Sequence, residues 1–310
     1  MRLVFAGTPA TAVPTLEALL KSRHAVAAVI TRPDARSGRG LQKAASPVAA
    51  RAEEAGIEIL RPQRPGDPEF LARLRQISPD CCPVTAYGAL VPQVALDIPA
   101  SGWVNLHFSI LPAWRGAAPV QHAILHGDDL TGATTFRLVR ELDAGPVFGV
   151  LTEAIRPADT AGELLQRLAV AGADLMVATL DGIESGELEP REQPASGVSL
   201  APKFSTADAK VDWDHPALAI SRRIRACTPD PGAWSELEGT RVKLWPVTVL
   251  TASADPQAPG ELRALRDRVV VGTATAPVEL GEVQQDGKRR MPAADWARGL
   301  RLGGQPAILG

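Results

Sequence analysis

Residues 1–30 read MRLVFAGTPATAVPTLEALLKSRHAVAAVI, and this stretch decides the architecture. Leu3 to Phe5 is a short apolar run, closed by the turn residues Gly7-Thr8-Pro9. Val13, Leu16, Leu19 and Leu20 then recur at three- and four-residue spacing, the signature of a helix with one apolar face. Val26 to Ile30 is a second, β-branched run and predicts a second strand. Strand, helix and strand at this spacing make one βαβ unit, whose crossover is right-handed and whose strands are parallel. Further along the chain the alternation continues. Val48–Ala55 and Pro68–Ile77 read as helices, and Glu58–Leu60, Cys82–Ala86, Trp103–Leu106 and Ala133–Leu138 as strands. The expected fold is α/β, with an N-terminal Rossmann-like, doubly wound, mainly parallel sheet. Such sheets bind ligands at the carboxyl ends of their strands.

The pattern changes after residue 189. Glu, Pro, Ser and Gly dominate up to residue 205 without periodicity. Pro216–Cys227 is helical in pattern, and Val242–Leu250, Arg268–Gly272 and Val278–Val283 are short β-rich runs separated by Gly and Pro. This predicts a domain at 1–189, a linker at 190–205 and an OB-like β-barrel at 206–310. The sequence has 310 residues, ample for two such domains. With 3 cysteines it lacks the makings of a disulfide framework. No run of 18 apolar residues or secretory signal is evident, so the cytosol is the expected compartment.

A formal net charge of −2 argues against a coat protein for any polyanion. Local clusters qualify that. Arg32, Arg36, Arg39, Lys43 and Arg51 stand against Asp34 alone in one Gly-rich loop. Arg222, Arg223 and Arg225, and Lys288 to Arg290, add two more. Each reads either as a solvated face or as a grip on one particular polyanion.

The chemistry concentrates in Trp103-Val-Asn-Leu-His-Phe-Ser-Ile-Leu-Pro-Ala-Trp-Arg-Gly-Ala-Ala-Pro119. Two residues apart on an extended strand, Asn105 and His107 share a face. An amide can donate to an oxygen gaining negative charge, and an imidazole exchanges protons near neutral pH. Such a pair occurs as often in a structural network as in a catalytic site. Asp143, in a turn before Gly145-Pro146, is the candidate carboxylate to orient the imidazole, and is otherwise an ordinary turn residue. His122 and His126 lack a third ligand and read as structural. Cys81 and Cys82 read as core. Gly7-Thr8-Pro9 lacks the glycines of a dinucleotide fingerprint, and a G-x-S-x-G elbow is missing.

Asn105-Leu-His107, Ser109-Ile-Leu-Pro112, Trp114-Arg-Gly-Ala-Ala-Pro119, Gly132-Ala-Thr134 and Leu142-Asp-Ala-Gly145 together resemble the folate-dependent formyltransferases. Phe5-Ala-Gly-Thr-Pro9, Arg32-Pro-Asp34, Gly38-Arg-Gly40, Ser46-Pro47 and Ala86-Tyr-Gly88 extend the resemblance. In the second half, Ala201-Pro-Lys203, Asp212-Trp213, Ile224-Arg-Ala226 and Pro231-Gly-Ala-Trp234 carry it over nearly the whole chain. It implies a catalytic set of Asn105, His107 and Asp143, with the folate held by Ser109, Ile110, Leu111 and Pro112. It implies 10-formyltetrahydrofolate as formyl donor, no metal, and methionine carried on initiator tRNA as the acceptor. Arg36, Arg39 and Lys43 would then contact the tRNA, the C-terminal barrel would lie along it, and the enzyme would act as a monomer. Departures from the family pattern are Phe108 beside the histidine, Ile110 for Leu, Leu41 and Gln42 in the basic loop, and Asp230 where Trp is common. On this reading Asp143 raises the pKa of His107, so that Asn105 and an imidazolium face the developing oxyanion. A formyltransferase for a small amine or a formyl-folate hydrolase would share the first domain but not need the tRNA parts. A non-catalytic tRNA-binding protein would not need the Asn, His and Asp.

Overall fold

From Leu3 onward β1 (Arg2–Gly7) is buried on both faces, as a strand between parallel neighbours and covering helices must be. The computed structural model describes residues 1–37, 42–251, 257–300 and 307–310. Two compact units emerge. One gathers Met1–Pro119, Leu130–Ala154 and Leu165–Ala201, the other Val120–Asp129, Ile155–Leu164 and Pro202–Gly310.

After β1 the chain forms α1 (Val13–Lys21), β2 (Ala25–Ile30) and a hairpin of β3 (Ala35–Ser37) and β4 (Gln42–Ala44). Next come α2 (Pro47–Glu54), β5 (Glu58–Leu60), α3 (Pro68–Ile77), β6 (Cys82–Thr85), α4 (Gln93–Leu96) and β7 (Trp103–His107). They are followed by β8 (Arg115–Gly116), α5 (Pro119–His126), β9 (Leu130–Arg137), β10 (Val147–Ala154), α6 (Ala161–Ser185) and β11 (Leu200–Ala201). The large sheet has the order β10-β9-β7-β6-β1-β2-β5. Its five strands from β5 to β7 are parallel, while β9 and β10 are antiparallel additions. The order reverses between β1 and β6, so the crevice of a doubly wound sheet opens there and beside β7.

Local chemistry explains the elements. Ser46 caps α2 by accepting the Ala49 N–H at 3.0 Å, and Pro47 occupies the first turn, where its missing donor costs nothing. The apolar face of α3 (Phe70, Leu71, Leu74, Ile77) packs with Val4, Ala6, Ala28, Ile30, Val84 and Trp103. Each such side chain contributes roughly 1.5–3 kcal/mol by leaving water. Trp103 also donates its indole N–H to the Ala95 carbonyl at 2.8 Å. Asn105 and His107 follow Trp103 on the same face of β7, so the core anchor and the polar pair form one row. On the opposite face Leu106 meets Gly172 of α6; a Cβ at Gly172 would sit 2.9 Å from the Leu106 side chain. β10 and the 25-residue α6 escape a reading of the sequence by segments, because the apolar positions of α6 run nearly all round the helix.

The second unit contains α7 (Ala217–Ala226), β12 (Trp234–Leu237), β13 (Thr240–Leu244), β14 (Val247–Val249), β15 (Glu261–Ala264) and β16 (Val269–Val271). It closes with β17 (Val278–Leu280), β18 (Glu282–Gln285), β19 (Met291–Pro292), α8 (Ala293–Arg298) and β20 (Ala307–Ile308). Two antiparallel sheets, β12-β13-β18-β19 and β14-β17-β16-β15-β20, share one core with α7 and α8. The expected single runs Val242–Leu250 and Val278–Val283 are each two strands that pass from one sheet to the other. The first breaks at Trp245-Pro246, where proline lacks a ladder N–H. The second breaks at Gly281, where a Cβ would stand 2.8 Å from the Pro246 carbonyl oxygen. The two crossings therefore meet at one corner.

Within the large sheet Gly132 of β9 is required by its neighbour. A Cβ there would lie 1.9 Å from the Leu151 carbonyl oxygen of β10. Gly132→Ala should lower unfolding free energy by about 3 kcal/mol, the upper range for forced overpacking. Urea denaturation of the two proteins checks this, and a loss below about 1 kcal/mol would contradict the close approach.

Candidate active site

β7 ends at the site. His107 and Asp143 are both buried, with 6% and 8% residual exposure respectively. The imidazole Nδ1 lies 3.7 Å from Asp143 Oδ2. Nε2 is 2.9 Å from the Trp114 carbonyl oxygen. A carbonyl only accepts, so Nε2 carries the proton and Nδ1 is the nitrogen that faces the carboxylate. Asp143 Oδ2 in turn accepts the Gly116 N–H at 2.8 Å.

Asn105 lies two positions before His107 on one face, half-buried, and its Oδ1 is buried without a hydrogen-bond partner. Such an atom costs about 1–3 kcal/mol unless a ligand satisfies it. Asp143 sits at φ 50° and Trp114 at φ 59°. Aspartate tolerates the left-handed region, but for tryptophan it costs of order 1 kcal/mol or more. That conformation aims the Trp114 carbonyl at the imidazole while its N–H donates to Ser199 Oγ at 2.9 Å. Two residues beyond Asp143, Gly145 has no room for a side chain, because a Cβ would fall 1.8 Å from the Arg137 carbonyl oxygen.

The electrostatics correct one expectation. Burial pushes His107 below its ordinary 6.5, and this outweighs the upward pull of Asp143 and of the Trp114 carbonyl. The imidazole is therefore neutral at rest, not an imidazolium. Its basic Nδ1 stands ready to take a proton, and the nearby carboxylate stabilises the cation once formed.

The four positions expected to hold folate divide into two kinds. Ser109 is fully buried and its Oγ donates to the Ala113 carbonyl at 2.6 Å. Leu111 is buried and its N–H donates to Thr134 Oγ1 at 3.2 Å, while Thr134 donates to the Ser109 carbonyl at 2.7 Å. These two shape the turn. Ile110 and Pro112 are half-buried and present the turn's accessible surface. Phe108 is buried.

In the hairpin β3–β4 the register sets Arg36 opposite Lys43; Arg39 lies outside the described residues. Arg51 belongs to α2 and pairs with Glu17 at 3.4 Å. The arginine cluster of α7 is likewise engaged in the fold. Arg225 is buried and donates to the Asp159 carbonyl at 2.9 Å, and Arg223 donates to the Asp208 carbonyl at 2.6 Å. Arg222 covers Gly127, whose Cβ would collide with the guanidinium. Lys288 and Arg289 remain exposed. His122 Nε2 bonds the Pro202 carbonyl at 3.0 Å and His126 Nδ1 bonds the His122 carbonyl at 2.9 Å, so both are structural. Among the described residues only His24, Asp181 and Glu184 bring three possible metal-ligating groups together, and Arg23 and the N-terminal ammonium already pair with the two carboxylates.

Sequence reasoning missed Arg115, Gln193 and Ser199. Arg115 stands inside the signal-rich stretch after β7 without a role of its own. Gln193 and Ser199 bond to the site loops from a segment whose composition signals only irregular chain.

A family model described as formyl transferase matches residues 1–180, and one described as the formyl transferase C-terminal domain matches residues 203–301. The chain belongs to the formyl transferase family. It is 66% identical to the methionyl-tRNA formyltransferase of Thermobifida fusca over 303 residues, covering 98% of this chain and 97% of that protein. Among solved structures, HypX from Aquifex aeolicus in complex with tetrahydrofolic acid has a TM-score of 0.64 at 19% identity over 98% of this chain. This family member spans only 47% of the HypX chain. The methionyl-tRNA formyltransferase of Clostridium thermocellum has a TM-score of 0.58 at 14% identity, covering 90% and 98% of the two chains. At those identities the two structures establish the shared fold.

Nuclear magnetic resonance of the His107 ring should give a midpoint below 6.5, and Asp143→Asn should lower it further by removing the carboxylate that favours the cation. Because the unfolded ring binds its proton at higher pH than the folded one, this histidine removes stability as pH falls below about 6.5. A midpoint above 6.5 would show that Asp143, not burial, dominates.

Proposed function

We propose that this chain transfers the formyl group of 10-formyltetrahydrofolate to the α-amine of methionyl initiator tRNA. The observation that carries the reading is the 66% identity, over nearly the full length of both chains, to a methionyl-tRNA formyltransferase. The grouping of Asn105, His107 and Asp143 at the carboxyl end of β7 supports it chemically.

The neutral amine attacks the formyl carbon and negative charge builds on the formyl oxygen. The Asn105 amide donates to that oxygen, an interaction worth about 3–4 kcal/mol where measured in acyl transfer. His107 Nδ1 takes the proton shed by the amine, and the Asp143 carboxylate at 3.7 Å stabilises the imidazolium. The C–N bond to the folate then breaks as the departing nitrogen receives a proton, through Asp143 or water. Trp114 holds the ring so that Nδ1 is the nitrogen that titrates. The turn 109–112 would bear the folate through Ile110 and Pro112, with Ser109 and Leu111 fixing its shape. No metal enters this scheme.

The acceptor reading draws on the basic residues of the hairpin. Arg36 and Lys43 are opposed in register across β3 and β4, which brings two cationic positions of the sequence to one hairpin. With Arg39 they would grip the acceptor end of the tRNA. The domains would run over 1–189 and 206–310 with a linker at 190–205, the second laid along the tRNA as an OB-like module. We place the enzyme in the cytosol as a monomer. Among the described residues no helix is long and apolar enough to cross a membrane.

Formylation of methionyl-tRNA by the purified protein tests the reading. Asn105→Ala, His107→Ala and Asp143→Ala should each lower kcat by about 10²–10³-fold in folded protein. Near-wild-type turnover in any of them removes that residue from the mechanism. Arg36→Ala, Arg39→Ala and Lys43→Ala should raise KM for charged tRNA and leave KM for the folate unchanged. Removing one phosphate-binding cation should also flatten the salt dependence of tRNA binding, by about 0.7 in the log–log slope for a single-stranded site. Formylation of free amines at equal efficiency would favour a small-amine transferase instead.

A further inference from the structure

Gln193 lies in the stretch whose composition reads as linker, yet its side chain reaches the loop that carries Asp143. Its amide nitrogen donates to two carbonyl oxygens, those of Asp143 and Gly145, both at 2.8 Å. Its amide oxygen accepts two bonds from Arg115, from Nε at 3.1 Å and from Nη2 at 2.6 Å. The arrangement is over-determined. Arg115 only donates and the loop carbonyls only accept, so the amide has a single orientation in which all four bonds form. A carboxylate, an amine or a hydroxyl at 193 would leave one side unsatisfied.

The backbone ties converge on the same point. Arg115 begins β8, which pairs in parallel with β11, and its own N–H donates to the Ser199 carbonyl at 2.9 Å. The next residue, Gly116, gives the N–H that binds Asp143 Oδ2. Arg191 exchanges both backbone bonds with Val147, at 2.7 and 2.8 Å, just past the Asp143 turn. Asp143 is thus held by its carboxylate from Gly116 and by its own carbonyl from Gln193, and Arg115 stands next to both donors.

We propose that Arg115 and Gln193 form a positioning clamp that sets the distance between the Asp143 carboxylate and the His107 imidazole. The clamp touches neither substrate and acts through Asp143. It rests on the proposed role of that residue, but its effect on the histidine can be read without any turnover. Without it the Asp143 loop keeps its backbone turn and loses the two bonds that fix where the carboxylate stands. Displacement of a reacting group by about 1 Å can cost about 10²-fold in rate.

The test uses Gln193→Leu, which removes all four bonds, and Gln193→Glu, which keeps the acceptor toward Arg115 but turns an oxygen on the two carbonyls. Arg115→Lys, which keeps one donor, serves as the conservative variant. If the clamp sets the pair, the His107 midpoint falls in Gln193→Leu in the same direction as in Asp143→Asn, while in Gln193→Glu the added carboxylate opposes that fall. The kcat for formylation then drops about 10- to 100-fold, KM for folate and for tRNA stays within about twofold, and Arg115→Lys lies between. An unmoved His107 midpoint in folded Gln193→Leu, which adds no charge, overturns the proposal, whatever happens to turnover. So does a rise in KM with kcat unchanged, which would make residue 193 a binding residue. Failure of the wild-type protein to formylate methionyl-tRNA would sink the functional reading alone, because the midpoint shift reports the clamp independently.

Discussion

A carboxylate and an imidazole, each more than nine-tenths buried, sit 3.7 Å apart, and the fold around them exists to make that tolerable. Removing either group from water is costly, and their mutual attraction offsets the cost only if the remaining lone pairs and protons find partners. Here the partners are backbone groups: the Gly116 N–H for the carboxylate and the Trp114 carbonyl for the imidazole. Both belong to a short segment after β7 that could not hold its shape alone. Ser199 and the adjoining β11, which pairs with β8, hold it from one part of the chain, and the bond from Thr134 of β9 to the Ser109 carbonyl holds it from another.

This placement separates two demands that pull against each other. Burial keeps His107 neutral, so a proton acceptor is available at neutral pH. The carboxylate keeps the protonated form within reach, so the acceptor is also able to hold what it takes. A more exposed pair would be screened, and a pair without the carboxylate would hold its proton too weakly. The left-handed backbone at Trp114 and Asp143 is the local cost of facing both groups inward. A sheet with β9 and β10 added antiparallel supplies the rigid bed: β9 runs beside β7, pairing Thr134 with His107.

Much of this was legible in the residues. The βαβ alternation of the first hundred residues is written in period and turn chemistry, and Asn105 and His107 share a face for no more subtle reason than the pleat. The carboxylate was legible only as a candidate, since nothing in sequence spacing says that a turn at 143 folds back on residue 107. Its environment was not legible at all. The depressed proton affinity of His107 follows from burial by residues from several elements, and charge pairing alone suggested the opposite sign. The α7 arginines misled for a related reason. A helical run of cations looks like a surface, but Arg225 is inside and Arg223 is occupied by a carbonyl, and only the fold reveals the Gly127 gap under Arg222. Pro246 and Gly281 lie inside runs that read as single strands, and only the fold shows that both break the ladder and meet at one corner between two sheets.

The parallel pairing of β8 with β11 bears on where this chain can be cut and rejoined. The residues that frame the Asp143 turn lie on both sides of position 190, so the chain's most linker-like composition begins before its structural duty ends. A fragment ending at residue 189 would discard Gln193, Ser199 and a strand, and would expose the edge of β8. A graft made after Ala201 keeps them all. In domain exchange between formyl transferases, the segment 190–201 therefore travels with the chemistry and not with the acceptor it serves.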